Sequence, residues 1–431
     1  MNKSAAPAEA GQDAPDLRLF VFALFFIFGG ITSLNDILIP KLKELFTLSY
    51  AQVMLVQFYF FAAYLIVSIP AAAIVKRVGY MRAAVAGLLT MMVGCLLFVP
   101  ASLSALFEIF LLALFVLATG ITIVQVVTNP LISLLGKPET AHSRLTFAQA
   151  FNSLGTMIFP YVGSILILAS LSKVDPATLS GAALALFRRQ ETRTVIETYL
   201  GLAAALAILA WLVYLRRNRL VETISRHADI LKSFDLLRLP RFAFGTACIF
   251  LYVGAEVAIG SLIVNYLEQA STLGLMPEDA GKHVPFYWGG ALVGRLIGSY
   301  VLRLVSPGKV LAFNAGMVVL LLILSANSAG ALSAWSLLAI GLFNSIMFPT
   351  IFSLASEGLG VRAADGSGLL CVAIVGGAIV PLITGRAADL AGLKAALVVP
   401  AICYLGIVAF GIFARHAAKP APSPLKVASS H

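Results

Sequence analysis

Hydrophobic residues in this chain come in twelve long runs parted by short polar turns. They fall at roughly Leu17–Pro40, Ser49–Val75, Met81–Val99, Leu106–Pro130, Leu145–Leu171, Val195–Leu215, Phe242–Leu267, Val284–Leu304, Val310–Ala326, Leu332–Ala355, Gly366–Ala388 and Ala395–Ala414. Each approaches or exceeds the length a helix needs to cross hydrocarbon, where every backbone N–H and C=O must find a partner within the protein. The pattern predicts an all-α membrane protein with twelve transmembrane helices.

Polar residues inside these runs recur at nearly one offset. Asp36 and Glu256, both within apolar runs, are 220 positions apart. Gln125 with Pro130 repeats as Asn344 with Pro349, and Gly155 with Pro160 repeats as Gly376 with Pro381. Such repetition is the mark of a duplicated membrane protein, here two pseudo-symmetric six-helix bundles. The expected division is a tail over 1–16, a first bundle over 17–215, a linker over 216–241, a second bundle over 242–414 and a tail over 415–431. The linker reads as permitting a hinge, with a lipid-surface amphipathic helix as a second possibility. Pro and Gly in spans one, four, five, ten and eleven are expected to kink helices or let them approach closely.

Composition agrees with this class: 60% of residues are hydrophobic and 12% charged, against about 25% charged in soluble domains. Of the 30 Lys and Arg residues, 20 fall in the tails and even-numbered loops and nine in the odd-numbered loops. Positive-inside asymmetry then places both termini on the cytoplasmic side. It also accounts for the net charge of +10 without a nucleic-acid partner. Cys95, Cys248, Cys371 and Cys403 all lie within expected spans, where small apolar packing explains them. The N-terminus carries three acids and no cleavable-signal pattern before the first span.

An ionised carboxylate in hydrocarbon costs from about 3 to well over 10 kcal/mol, so Asp36 and Glu256 are expected to face a watery interior and mark an ion or substrate path. Amides converge with them: Asn35 beside Asp36, Gln57 in span two, Gln125 and Asn129 on one face of span four, and Gln149 and Asn152 on one face of span five. In the second half Tyr252 stands one turn before Glu256, with Asn265, Trp288, Asn314 and Asn344 beyond. Carboxylates, amides and aromatic faces together suit a polyhydroxylated substrate, although a lone membrane Asn or Gln also serves as an interhelical hydrogen-bond partner. Arg295 is the one basic residue deep in a span, and a structural or gating role is expected for it and for Arg77. Hydrolase, zinc-protease, paired-cysteine and Walker motifs are lacking, so neither enzyme chemistry nor direct use of ATP is expected. No cofactor is expected; the coupling ion is a proton, with sodium as the rival.

Asn35-Asp36-Ile37-Leu38-Ile39-Pro40, Thr128-Asn129-Pro130, Gln149-Ala150-Phe151-Asn152-Ser153-Leu154-Gly155, Tyr252-Val253-Gly254-Ala255-Glu256, Tyr287-Trp288-Gly289-Gly290 and Gly294-Arg295 together resemble the fucose–galactose–glucose/proton symporters of the major facilitator superfamily. The resemblance runs from about Leu19 to Phe413. It implies alternating-access uptake of a sugar, with Asp36 matching the family's acid in span one and Gln149 and Asn152 its span-five pair. The sequence departs where the fucose carriers hold Glu in span four, here Gln125, and Gln in span seven, here Glu256. That pattern is similar to the glucose/galactose branch. The expected protein is a monomeric hexose/proton symporter of the bacterial inner membrane, with Asp36 or Glu256 as the coupling acid. Alternatives are sodium coupling, uptake of N-acetylglucosamine or fucose and, more distantly, a drug/proton antiporter. The cytoplasmic signature of the superfamily is degraded in Lys76-Arg77-Val78-Gly79-Tyr80-Met81-Arg82, which lacks the usual Asp.

Overall fold

The computed structural model of the chain describes residues 15–46, 50–104, 106–163, 181–218 and 231–416. The tail before Pro15, the end of the fifth expected span from 164, linker residues 219–230 and the tail from 417 lie outside the described residues.

Six long helices form the first half: α1 (Pro15–Phe46), α2 (Tyr50–Val78), α3 (Tyr80–Ser104), α4 (Phe107–Leu134), α5 (Ala141–Gly163) and α6 (Gly181–Leu215). In the second half come α7 (Pro240–Glu268), the short α8 (Pro277–Gly281), α9 (Val284–Val301) and α10 (Pro307–Asn327). The tenth expected span is two helices, α11 (Gly330–Asn344) and α12 (Met347–Ser356). The eleventh is α13 (Ala363–Val372) and α14 (Gly376–Ala391) joined by a 3₁₀ turn, and the twelfth is α15 (Leu393–Ala396) followed by α16 (Val398–Phe413).

Ten of these twelve segments are apolar and long enough to cross a bilayer. The two that fall short by composition are α5, described only to Gly163, and α9. They carry Gln149, Asn152 and Ser153 and Arg295, and they pack against each other.

Packing repeats between the halves. In the first, α1 lies on α5, α3 on α4 and α6, and α2 on α4; in the second, α7 lies on α14, α10 on α11 and α16, and α9 on α11. Glycines set the closest approaches. A Cβ at Gly155 would collide with the Phe26 carbonyl of α1, and one at Gly376 with the Phe250 carbonyl of α7. The offset of 221 between these glycines is thus a packing requirement of both bundles.

The prolines act unequally. Helices α4 and α5 continue through Pro130 and Pro160, whereas the tenth span breaks at Ser345–Ile346, just ahead of Pro349. Proline has no N–H and its ring clashes with the carbonyl four residues earlier, which here is Ser345. The 3₁₀ turn Ala373–Val375 interrupts span eleven before Gly376 and Gly377.

The bundles meet along two equivalent seams, α5 on α9 and α2 on α13, with α4 touching α13 and α5 touching α12. Both seams run from the end bearing the even-numbered loops to about mid-helix. A Cβ at Gly368 would press on Ala72 and the Ser68 carbonyl, and one at Gly377 on the Phe61 ring. The described end of the linker, Leu231–Arg238, is a 3₁₀ helix docked on the second bundle, with Ser233 and Leu236 buried. This part of the linker packs on α7 and α13.

Candidate functional site

Helix α7 presents Tyr252 and Glu256 one turn apart, so their side chains share a face. The Tyr252 hydroxyl lies 2.7 Å from Glu256 Oε1 and 3.0 Å from the main-chain carbonyl of Asn344, at the end of α11. Asn344 is fully buried and both ends of its amide are engaged: Nδ2 donates to the Tyr287 hydroxyl at 2.8 Å, and Oδ1 accepts from the Tyr404 hydroxyl at 2.8 Å. Tyr252, Tyr287 and Tyr404 are themselves buried, so the carboxylate stands on a closed frame of three phenols and one amide.

One residue past that frame, the Ser345 carbonyl accepts from Arg295 Nε at 3.1 Å. The same guanidinium reaches into the first bundle, donating from Nη1 to the Gln149 carbonyl at 3.2 Å and to the Ser153 hydroxyl. Arg295 therefore serves as a cross-bundle tie, and its hydrogen bonds go to α5 and to the break in span ten rather than to Glu256. No signal in the sequence distinguished a tie of this kind from an ion pair with a membrane acid.

In the first bundle Tyr64 donates to Gln125 Oε1 at 2.8 Å, both residues being buried. Asn152 Nδ2 reaches the Phe25 carbonyl of α1 at 3.4 Å. Gln149 is buried beside the seam, and its side-chain amide has no hydrogen bond among the described residues. Asn129 is wholly enclosed, and neither its Oδ1 nor its Nδ2 finds a partner among the described residues. Gln57 is half-buried, Asn265 exposed, and Trp288, 37% exposed, stands edge-on to Tyr287. Asn314 lies apart, donating to the Val310 carbonyl of its own helix. Asn35 and Asp36 fall within α1, but their side chains lie outside the described residues.

The even-loop end holds a second polar layer. Lys76 Nζ bonds both carboxylate oxygens of Asp365, at 3.0 and 3.1 Å, and Ser233 of the linker adds a third bond at 3.0 Å. Glu357 accepts from Arg241 of its own bundle and contacts His142 Nε2 of α5 at 2.9 Å. Ser143 donates to the Ser299 carbonyl at 2.6 Å, and Arg303 donates to the Ser143 hydroxyl. Arg77 is exposed, and its neighbour Lys76 makes the bridge. Sequence reasoning passed over Lys76, Asp365, His142 and Glu357. The available signal was the presence of acids at Asp365 and Glu357 on a face otherwise rich in Lys and Arg.

The profile described as Major Facilitator Superfamily matches residues 20–370. A glucose/galactose transporter of Brucella abortus biovar 1 (strain 9-941) is 49% identical over 389 residues, which are 90% of this chain and 92% of the relative. The L-fucose-proton symporter of Escherichia coli (strain K12) is 30% identical over 430 residues, covering 95% of this chain and 96% of the relative. Among solved structures, the crystal structure of the transporter FucP in the outward conformation is similar with a TM-score of 0.85 and 29% identity, over 93% of this chain and 99% of that one.

Proposed function

The chain belongs to the Major Facilitator Superfamily, and from that premise we propose that it is a hexose/proton symporter of the bacterial inner membrane, taking up glucose- and galactose-type sugars by alternating access. The observation that carries the reading is Glu256, a carboxylate inside a membrane helix, fixed by Tyr252 and only partly enclosed. A group so placed can load and release a proton as the bundles rock around it. Asp36, on the equivalent helix of the first bundle, is the second coupling acid.

The sugar lies between the bundles above the closed seam. Gln149, whose amide is uncommitted among the described residues, and Asn152 reach it from α5; Gln57 and Gln125 reach it from α2 and α4; Asn265 and Trp288 reach it from α7 and α9; and Asn35 of α1 is a further ligand. Trp288 covers an apolar sugar face. Asn129, Tyr252 and Asn344, named from the sequence as ligands, brace the site from behind, being enclosed to 1% exposure or less.

Both termini are cytoplasmic, the bundles are divided as the repeat suggests, and the conformation is outward-facing, since the seams close at the even-loop end. Arg295 and the Lys76–Asp365 pair hold that end. Protonation and sugar binding from outside neutralise the site, the seams part, and deprotonation inside releases the sugar. The membrane potential contributes about 2.3 kcal/mol per charge per 100 mV, roughly 50-fold accumulation.

The test is counterflow in proteoliposomes with radiolabelled D-glucose, D-galactose, L-fucose and N-acetylglucosamine, repeated under imposed proton and sodium gradients. Accumulation of glucose or galactose driven by the proton gradient, with sugar-dependent alkalinisation outside, supports the reading. Accumulation driven by sodium alone replaces the coupling ion. Sugar binding without flux removes transport altogether.

A further inference from the structure

Where span ten breaks, the last carbonyls of α11 have no intrahelical partner and must find donors elsewhere. Two consecutive carbonyls there are claimed from opposite directions. Asn344 O faces the Tyr252 hydroxyl at 3.0 Å, beside Glu256; Ser345 O takes Arg295 Nε at 3.1 Å, and Arg295 continues to Ser153 and the Gln149 carbonyl of the first bundle. Two adjacent peptide units, Asn344–Ser345 and Ser345–Ile346, thus join a carboxylate of the second bundle to a tie on the first.

We propose that this break relays the protonation state of Glu256 to the seam between the bundles, through a change of acceptor by the Tyr252 hydroxyl. The proposal rests on the reading of the protein as a proton symporter. A phenol has one proton to donate and two acceptors within reach here, so the acceptors compete. With Glu256 ionised, the phenol donates to its carboxylate, the stronger acceptor. When a proton from the outer solution binds Glu256, the new carboxylic O–H donates to the phenol oxygen and the phenol proton turns to Asn344 O. Tyr252 keeps its own proton, and the only proton taken up is the one on Glu256.

The turn draws the Asn344 carbonyl toward α7 and, through the Ser345 backbone, shifts the adjoining Ser345 carbonyl away from Arg295, loosening the α5–α9 seam. Asn344 is a positioning residue in this scheme: its amide, gripped by Tyr287 and Tyr404, holds the carbonyl in register. Among the described residues, the titratable and charged groups around Glu256 are Tyr252 on its own helix, Tyr287 and Arg295 on α9, and Tyr404 on α16.

The experiment reads the seam directly. Spin labels on Glu139→Cys and Leu304→Cys sit on opposite bundles at the even-loop end, while the four native cysteines are buried. Distances are measured from pH 5 to pH 9 in nanodiscs with saturating D-glucose or D-galactose. Expected for the parent protein is a rise in the long-distance population at low pH. Glu256→Gln should hold that population at its low-pH level throughout, and Tyr252→Phe should reduce its pH response at least fivefold.

A parent protein without pH response defeats the symporter reading itself. A response that survives Glu256→Gln places the proton elsewhere, as on Asp36, and overturns the relay while the symporter reading stands. A response lost in Glu256→Gln but intact in Tyr252→Phe overturns the relay alone. Arg295→Lys provides the second arm. It keeps the charge but not the fork that spans Ser345 and α5, and it should uncouple distance from pH as Tyr252→Phe does; an unchanged response there also overturns the relay.

Discussion

Lys76 at the end of α2 grips both oxygens of Asp365 at the start of α13, an ion pair that joins the two bundles with only 6% of the Asp365 side chain exposed. Removing one partner of such a pair leaves the other charge enclosed, at a cost on the order of 3 kcal/mol. Lys76→Ala should therefore lower the thermal unfolding midpoint and raise alkylation of a cysteine placed at Ser68, under the seam. The exchange Lys76→Asp with Asp365→Lys should recover much of both. Equal behaviour of single and exchanged variants would mean that the pair does not hold the seam.

The two membrane acids should differ from surface acids in kind. Asp36→Asn is expected to abolish uphill uptake while some exchange persists, and Glu256→Gln to reduce proton-driven accumulation by more than tenfold. Accumulation ratios in proteoliposomes at a fixed pH gradient decide this, and undiminished accumulation in either variant removes that residue from coupling.

Close helix contact at Gly155 and Gly376 predicts a paired defect. Alanine at either position drives a methyl group into a carbonyl of the facing helix, Phe26 or Phe250. Overpacking of this sort costs about 1–3 kcal/mol. Gly316→Ala is the control, because a Cβ there meets open space. Unfolding midpoints in detergent should fall for the first two and hold or rise for the third.

Asp279, in the short α8 of the connection between α7 and α9, shows the opposite limit. Its hydrogen bond with Lys282, aided by the charge of that ammonium, holds its carboxyl below the ordinary value. A lowered folded pKa gives stability that is present above the unfolded value and lost as pH falls through the folded one. The pair is exposed and salt-screened, however. Asp279→Asn should leave the neutral-pH unfolding midpoint unchanged in about 0.15 M salt, and a resolved drop would show that this connection bears on the fold.

Much of the architecture was legible in order. Apolar runs gave twelve crossings because hydrocarbon length and backbone satisfaction leave a helix little choice. The repeated offsets of Gly155 and Gly376 gave the duplication, since each bundle needs a residue without a side chain at the same approach. The break in span ten was less legible. Pro130 and Pro349 look alike in sequence, yet α4 runs through the first and the chain breaks before the second. The difference lies in which tertiary partners can donate to the freed carbonyls: Tyr252 and Arg295 donate to those ahead of Pro349.

By itself the sequence determined that this is a duplicated, sugar-carrier-like membrane protein and that Glu256 stands where no idle acid would, because desolvation forbids it. Folding alone decided the partners. Asn344 became a buried brace, Arg295 reached across to α5 instead of pairing with Glu256, and Lys76 rather than Arg77 met Asp365. Those outcomes depend on distances of a few ångströms between helices far apart in the chain, and no local pattern of residues encodes which of several neighbouring side chains will arrive.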